Sequence, residues 1–278
     1  MAQMLSFETD QGNTLNLNLF GGKDFGDKPC VIYVHGFKGF KDWGFVPHTA
    51  AFLAQEGFSV ITFNFSHNGI GPDGETFTEL DKFERNTFSL EVSELQEVIR
   101  KATRTDFFGA KATSGLGVLG HSRGGGIALL ASHLQPEVQA VATWGSVSSF
   151  DRTSKEDKQT WKKQGYREVR NSRTGQIFRM GMAMFQDVEK HAKNSLNILK
   201  AVQNLERPLL ILHGQSDETV PSFEAEQLNI FGNPALTDFR LIPQASHTFN
   251  STHPFSGPSE ALNLSLSATS NFFQAHLQ

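Results

Sequence analysis

Short apolar runs alternate with amphipathic stretches along the whole chain. Two alternating segments, Leu5–Thr9 and Thr14–Phe20, flank Asp10-Gln-Gly-Asn13 and predict a β-hairpin. The runs Cys30–Val34, Ser59–Phe65, Leu116–Gly120, Val138–Thr143, Pro208–Leu212 and Phe239–Ile242 read as further strands, nearly all apolar. Between them, Pro47–Gln55, Thr87–Lys101 and Gly124–His133 read as helices, and a helix from about Ser259 to Phe273 closes the chain. Strands that are apolar on both faces and alternate with helices predict an α/β protein with a mostly parallel central sheet flanked by helices. The stretch 146–206 breaks the rhythm. It holds a charged helix near Lys155–Lys163, a hairpin around Asn171–Gly175 and a helix near Met180–His191. A connection of that length with its own elements predicts a lid inserted after the sixth strand of one domain, 1–278.

Composition narrows the function. A net charge of −4 argues against a nucleic-acid binder that relies on a basic surface. No run approaches the ~20 apolar residues of a membrane span. The first residues lack a basic segment followed by an apolar one, which predicts a cytoplasmic protein without a secretory signal. The single cysteine, Cys30, permits neither an internal disulfide nor a multi-thiolate zinc site, and its place in an apolar run predicts a buried thiol. The chain has 25 Phe against 2 Tyr, for which we have no physical account beyond an aromatic-rich core.

The chemistry begins at Gly120-His121-Ser122-Arg123-Gly124, a G-x-S-x-G sequence between an apolar strand and a small-residue helix. At that junction a serine is forced into a strained turn that presents its hydroxyl, and the glycines admit neighbouring backbone. Gly115-x-Gly117-x-x-Gly120 also spells a dinucleotide fingerprint. It contains its strand instead of following one, so no nucleotide cofactor is expected, and no other cofactor or metal either. A serine hydroxyl needs a base and a group that orients the base. Asp217 follows the strand ending at Leu212, and His247 follows the strand ending at Ile242. His253 is the rival base; Glu218 and Asp151 are the rival acids. The backbone N–H groups of Arg123 and of Phe37, in the loop His35-Gly36-Phe37-Lys38-Gly39-Phe40, are the expected oxyanion donors. His67, just past a strand, and Phe178, Met182 and Phe185, within the Met- and aromatic-rich insert, are the candidate substrate-binding residues.

These motifs, in order and spread over the chain, resemble the α/β-hydrolase superfamily. The His-Gly-Phe loop, the Gly-His-Ser-x-Gly-Gly elbow and the lid after the sixth strand are most similar to bacterial cinnamoyl/feruloyl esterases and related serine acyl-peptidase-like hydrolases. The resemblance implies the Ser122–His247–Asp217 triad and hydrolysis of a small-molecule carboxylic ester. Peptidase, thioesterase and acyltransferase chemistry use the same machinery, and a non-catalytic binding module would share only the fold. A monomer or homodimer with no nucleic-acid or membrane partner is expected.

Overall fold

The computed structural model describes residues 2–171 and 174–277. Ten strands and nine α-helices are formed among them, beginning with β1 (Gln3–Glu8), β2 (Thr14–Phe20), β3 (Cys30–Val34), α1 (Val46–Gln55) and β4 (Ser59–Asn64). Next come α2 (Leu80–Arg85), α3 (Phe88–Arg104), β5 (Leu116–His121), α4 (Arg123–His133) and β6 (Ala140–Trp144). The insert supplies α5 (Lys155–Gln164), β7 (Tyr166–Arg170), β8 (Ile177–Gly181) and α6 (Met182–His191). The chain ends with α7 (Ile198–Gln203), β9 (Leu209–Gly214), α8 (Phe223–Phe231), β10 (Thr237–Ile242) and α9 (Glu260–His276).

Eight strands form one sheet in the order β1-β2-β4-β3-β5-β6-β9-β10. The β1–β2 and β2–β4 pairs are antiparallel and all others are parallel, so β2 runs opposite to the other seven strands. β3, β4, β5, β6 and β9 are buried at every residue, as their largely apolar sequences require. One face packs on α3, α4, α7 and α8 through residues such as Leu95, Ile127, Val202 and Leu228. The other packs on α1 and α9 through Leu53, Leu262, Leu266 and Phe273. This is the α/β-hydrolase fold. No described helix is long and apolar enough to cross a membrane.

Within the stretch between β6 and β9, α7 belongs to the layer that covers the sheet. The part that stands over the carboxyl ends of the strands is α5 to α6, with β7 and β8 paired as a separate antiparallel ribbon. Ser172 and Arg173, in the expected hairpin turn, lie outside the described residues. Asp187 of α6 ties the insert down: its carboxylate accepts the Ser89 backbone N–H at 3.0 Å and the Ser89 hydroxyl at 2.5 Å, at the N-terminus of α3. A carboxylate there also meets the positive end of the helix dipole.

Candidate active site

Ser122 sits between β5 and α4 with φ 58° and ψ −124°, backbone angles that a non-glycine residue adopts only under constraint from its surroundings. The constraint is backbone packing. A methyl group on Gly120 would stand 2.3 Å from the Gly124 carbonyl oxygen, and one on Gly124 would stand 2.3 Å from that of Val34. The turn is held by the Ser122 N–H, which donates to the Trp144 carbonyl at 2.8 Å.

The Ser122 Oγ lies 2.9 Å from His247 Nε2, and His247 Nδ1 lies 2.7 Å from Asp217 Oδ2. The second Asp217 oxygen accepts the Thr219 and Val220 amides at 2.9 and 2.8 Å. Burial alone would raise the Asp217 pKa. The hydrogen bond and charge of His247, with the two amides, hold it below the ordinary carboxylate value instead. An ionised Asp217 only accepts, so the proton resides on His247 Nδ1 and Nε2 is bare toward the serine hydroxyl.

Three other histidines brace this arrangement. His213 Nε2 lies 2.7 Å from the Val220 carbonyl and 3.3 Å from Asp217 Oδ2, fixing the acid from behind. His121 Nε2 donates to the His247 carbonyl at 2.9 Å, and burial pushes its pKa down to about 3, so it stays neutral. His35 accepts the Phe65 N–H at Nε2 (3.3 Å) and donates from Nδ1 to the Gly36 carbonyl (2.9 Å), anchoring the loop after β3. That loop lies so close to the elbow that a Cβ on Gly36 would be 2.9 Å from that of Ser122. The Phe37 and Arg123 amides flank the serine and donate to no other group among the described residues.

Two of the rivals named from the sequence are engaged by other partners. The Nδ1 of His253 accepts the Gly44 N–H at 2.8 Å, and its ring stacks on Trp43. Asp151 pairs with Lys158 at 2.7 Å.

Two cavities meet at Ser122. The first, about 260 Å³, runs under the insert between Phe37, Phe88, Phe150, Trp161, Met184 and Phe185. Phe88 and Phe150 stack face to face, with centroids 3.9 Å apart and planes 4° from parallel. The Arg123 guanidinium lies 4.2 Å from the Phe37 ring centroid and is paired with buried Glu91 at 3.0 Å. The second cavity, about 310 Å³, opens on the side of His247 and Thr248, among Tyr33, Lys38, Phe40 and Trp43.

Of the residues expected to bind substrate, Phe185 lines the first cavity. Phe178 is instead buried in an aromatic cluster with Phe77 and Phe83. Met182 packs against the core, and His67 pairs with the Ser66 hydroxyl at 2.7 Å; neither lines a cavity at Ser122. The sequence reading missed Phe88 and Phe150. Phe88 falls at one apolar position of the helix predicted over Thr87–Lys101, and nothing in sequence brings the two rings together.

Comparison with known proteins gives one family and several relatives. The prolyl oligopeptidase family model matches residues 43–273. An uncharacterised peptidase of Bacillus subtilis, YuxL, is 43% identical over 74 residues, 26% of this chain; the match spans only 11% of that relative's length. Among solved structures, Est1E from Butyrivibrio proteoclasticus with ferulic acid bound is 20% identical over 98% of both chains, with a TM-score of 0.72. An esterase domain from Rhodothermus marinus is 20% identical over 100% of both chains, with a TM-score of 0.67. At such identities the structural likeness establishes the fold.

Proposed function

This chain belongs to the prolyl oligopeptidase family of serine hydrolases, and from that premise we propose that it is a carboxylesterase for small to medium esters with an apolar or aromatic acyl group. The observation that carries the reading is the Ser122–His247–Asp217 relay with an aromatic-walled cavity beside it.

His247 Nε2 takes the Ser122 proton as Oγ attacks the ester carbonyl carbon. Asp217 fixes the imidazole tautomer and offsets the charge it acquires. The tetrahedral oxyanion is held by the Phe37 and Arg123 amides. Collapse breaks the bond to the alkoxy oxygen, which takes the proton back from His247. Water, deprotonated by the same Nε2, then releases the acid from Ser122. The leaving group must be within reach of the protonated imidazole, and only the second cavity is lined by His247. That cavity therefore takes the alcohol, and the aromatic cavity under the insert takes the acyl group.

Peptide hydrolysis is the second reading, favoured by the family and by the peptidase name of the Bacillus relative. It follows the same steps with an amine leaving group. Steady-state hydrolysis of p-nitrophenyl esters from acetate to decanoate, with methyl ferulate and an aminoacyl-anilide alongside, separates the two. The ester reading expects Ser122-dependent ester turnover with far higher kcat/KM than for the anilide. Efficient anilide cleavage with weak ester cleavage would overturn it in favour of the peptidase.

A further inference from the structure

Most charged residues around the aromatic cavity are ion-paired within the protein. Arg123 pairs with Glu91 at 3.0 Å and Arg152 with Glu224 at 2.8 Å. Lys158 pairs with both Asp151 and Glu189, at 2.7 and 2.9 Å. Arg167 differs. It lies on β7 of the insert, half-buried, and lines the same cavity as Ser122. Its Nη1 donates to the Thr153 hydroxyl at 3.1 Å, and it forms no ion pair among the described residues. Its strand partner Met180 offers no acceptor side chain, and the two carboxylates of the cavity lining, Asp151 and Glu189, are held by Lys158.

We infer that Arg167 is a specificity residue, and that the acyl group bound in this cavity carries a second acidic function at its far end. The substrate class is the monoester of a dicarboxylic or similarly anionic acid. The inference rests on the ester-hydrolase reading of Ser122 and on the assignment of this cavity to the acyl side. A guanidinium fork matches a carboxylate in two parallel hydrogen bonds, and apolar walls strengthen that pairing by excluding water.

The test uses pairs of p-nitrophenyl esters of matched length: the monoester of a dicarboxylic acid, such as adipate or suberate, against the ester of the corresponding neutral acid. The wild-type enzyme is expected to favour the anionic member in kcat/KM by roughly 10- to 100-fold, mostly through KM, the worth of one charge-assisted contact. Arg167→Gln should collapse that ratio toward one, and Arg167→Lys should retain part of it. Competition supplies a measurement that needs no variant: free adipate should inhibit the wild type at lower concentration than hexanoate, and salt should erase the difference. A wild-type ratio near one at every length, equal inhibition by the two acids, or a ratio untouched by Arg167→Gln would overturn the inference. Loss of Ser122-dependent turnover on both members of every pair would instead overturn the ester reading beneath it.

Discussion

Asp217 holds one imidazole in front of it, a second behind it and two backbone amides at its side, and the front imidazole and the two amides favour the ionised carboxylate. Asp217→Asn preserves the shape but removes the charge that sets the His247 tautomer. Its kcat should fall by about 10⁴-fold with KM little changed, measured against Ser122→Ala as the baseline. The triad residues were legible in the sequence because each follows an apolar run within a few residues, where the chain must turn at the carboxyl end of a strand. The walls of the acyl cavity were not. Phe88 begins α3 and Phe150 follows β6, and only the packing of α3 beside α4 and the β6 loop stacks their rings. His67 shares with His35 a position just past a strand, yet its ring pairs with Ser66 and lines neither cavity at Ser122. Position relative to a strand end locates a backbone, not a side-chain direction.

The elbow and the insert are the two elements that function needs. Gly124→Ala places a methyl group against the Val34 and His35 carbonyl oxygens, at 2.3 and 2.5 Å. Backbone cannot retreat there as a flexible side chain could, so the variant should lose about 3 kcal/mol or more, read as a lower thermal midpoint and poor soluble yield. The insert is held more lightly. Asp187→Ala removes the carboxylate that receives Ser89, costing about 1 kcal/mol, as for other lost helix caps. Hydrogen exchange should then quicken across 155–191 while β5 and β6 keep their protection; uniform exchange in both forms would show that Asp187 does not tether the insert. The long elements of the fold were readable from apolar periodicity to within a few residues. The helices α2 and α7, of 6 residues each, and α8, of 9, were not read. They span too few turns for periodicity to register, and packing rather than propensity holds them.

For the molecule as a whole, buried titratable groups set how stability follows pH. Burial holds His35 at about 4 and His121 at about 3, against an ordinary 6.5. Below 6.5 the unfolded chain takes up protons that the folded chain refuses, so stability present above that pH is lost as pH falls toward those values. Glu94 opposes this. Burial lifts it from 4.5 to about 7, so its contribution is present at low pH and is lost as pH rises through 7. Burial also lowers His213, His67 and His48, so between pH 6.5 and 4.5 the histidines outweigh the one carboxyl and stability falls on acidification. Tm should therefore fall by a few degrees per unit on acidification across that window, and Glu94→Gln should steepen the fall. A Tm that stays flat or rises would contradict the neutral assignment of the two histidines.

All of this serves one arrangement, a serine whose hydroxyl is activated by His247 and Asp217 at the junction of two cavities. Labelling the folded protein with a fluorophosphonate, followed by peptide mapping by mass spectrometry, tests it most directly. A single adduct on Ser122, abolished in Ser122→Ala and strongly slowed in Asp217→Asn, is the expected result. A folded protein that takes up no label, or takes it up on another residue, would contradict the account.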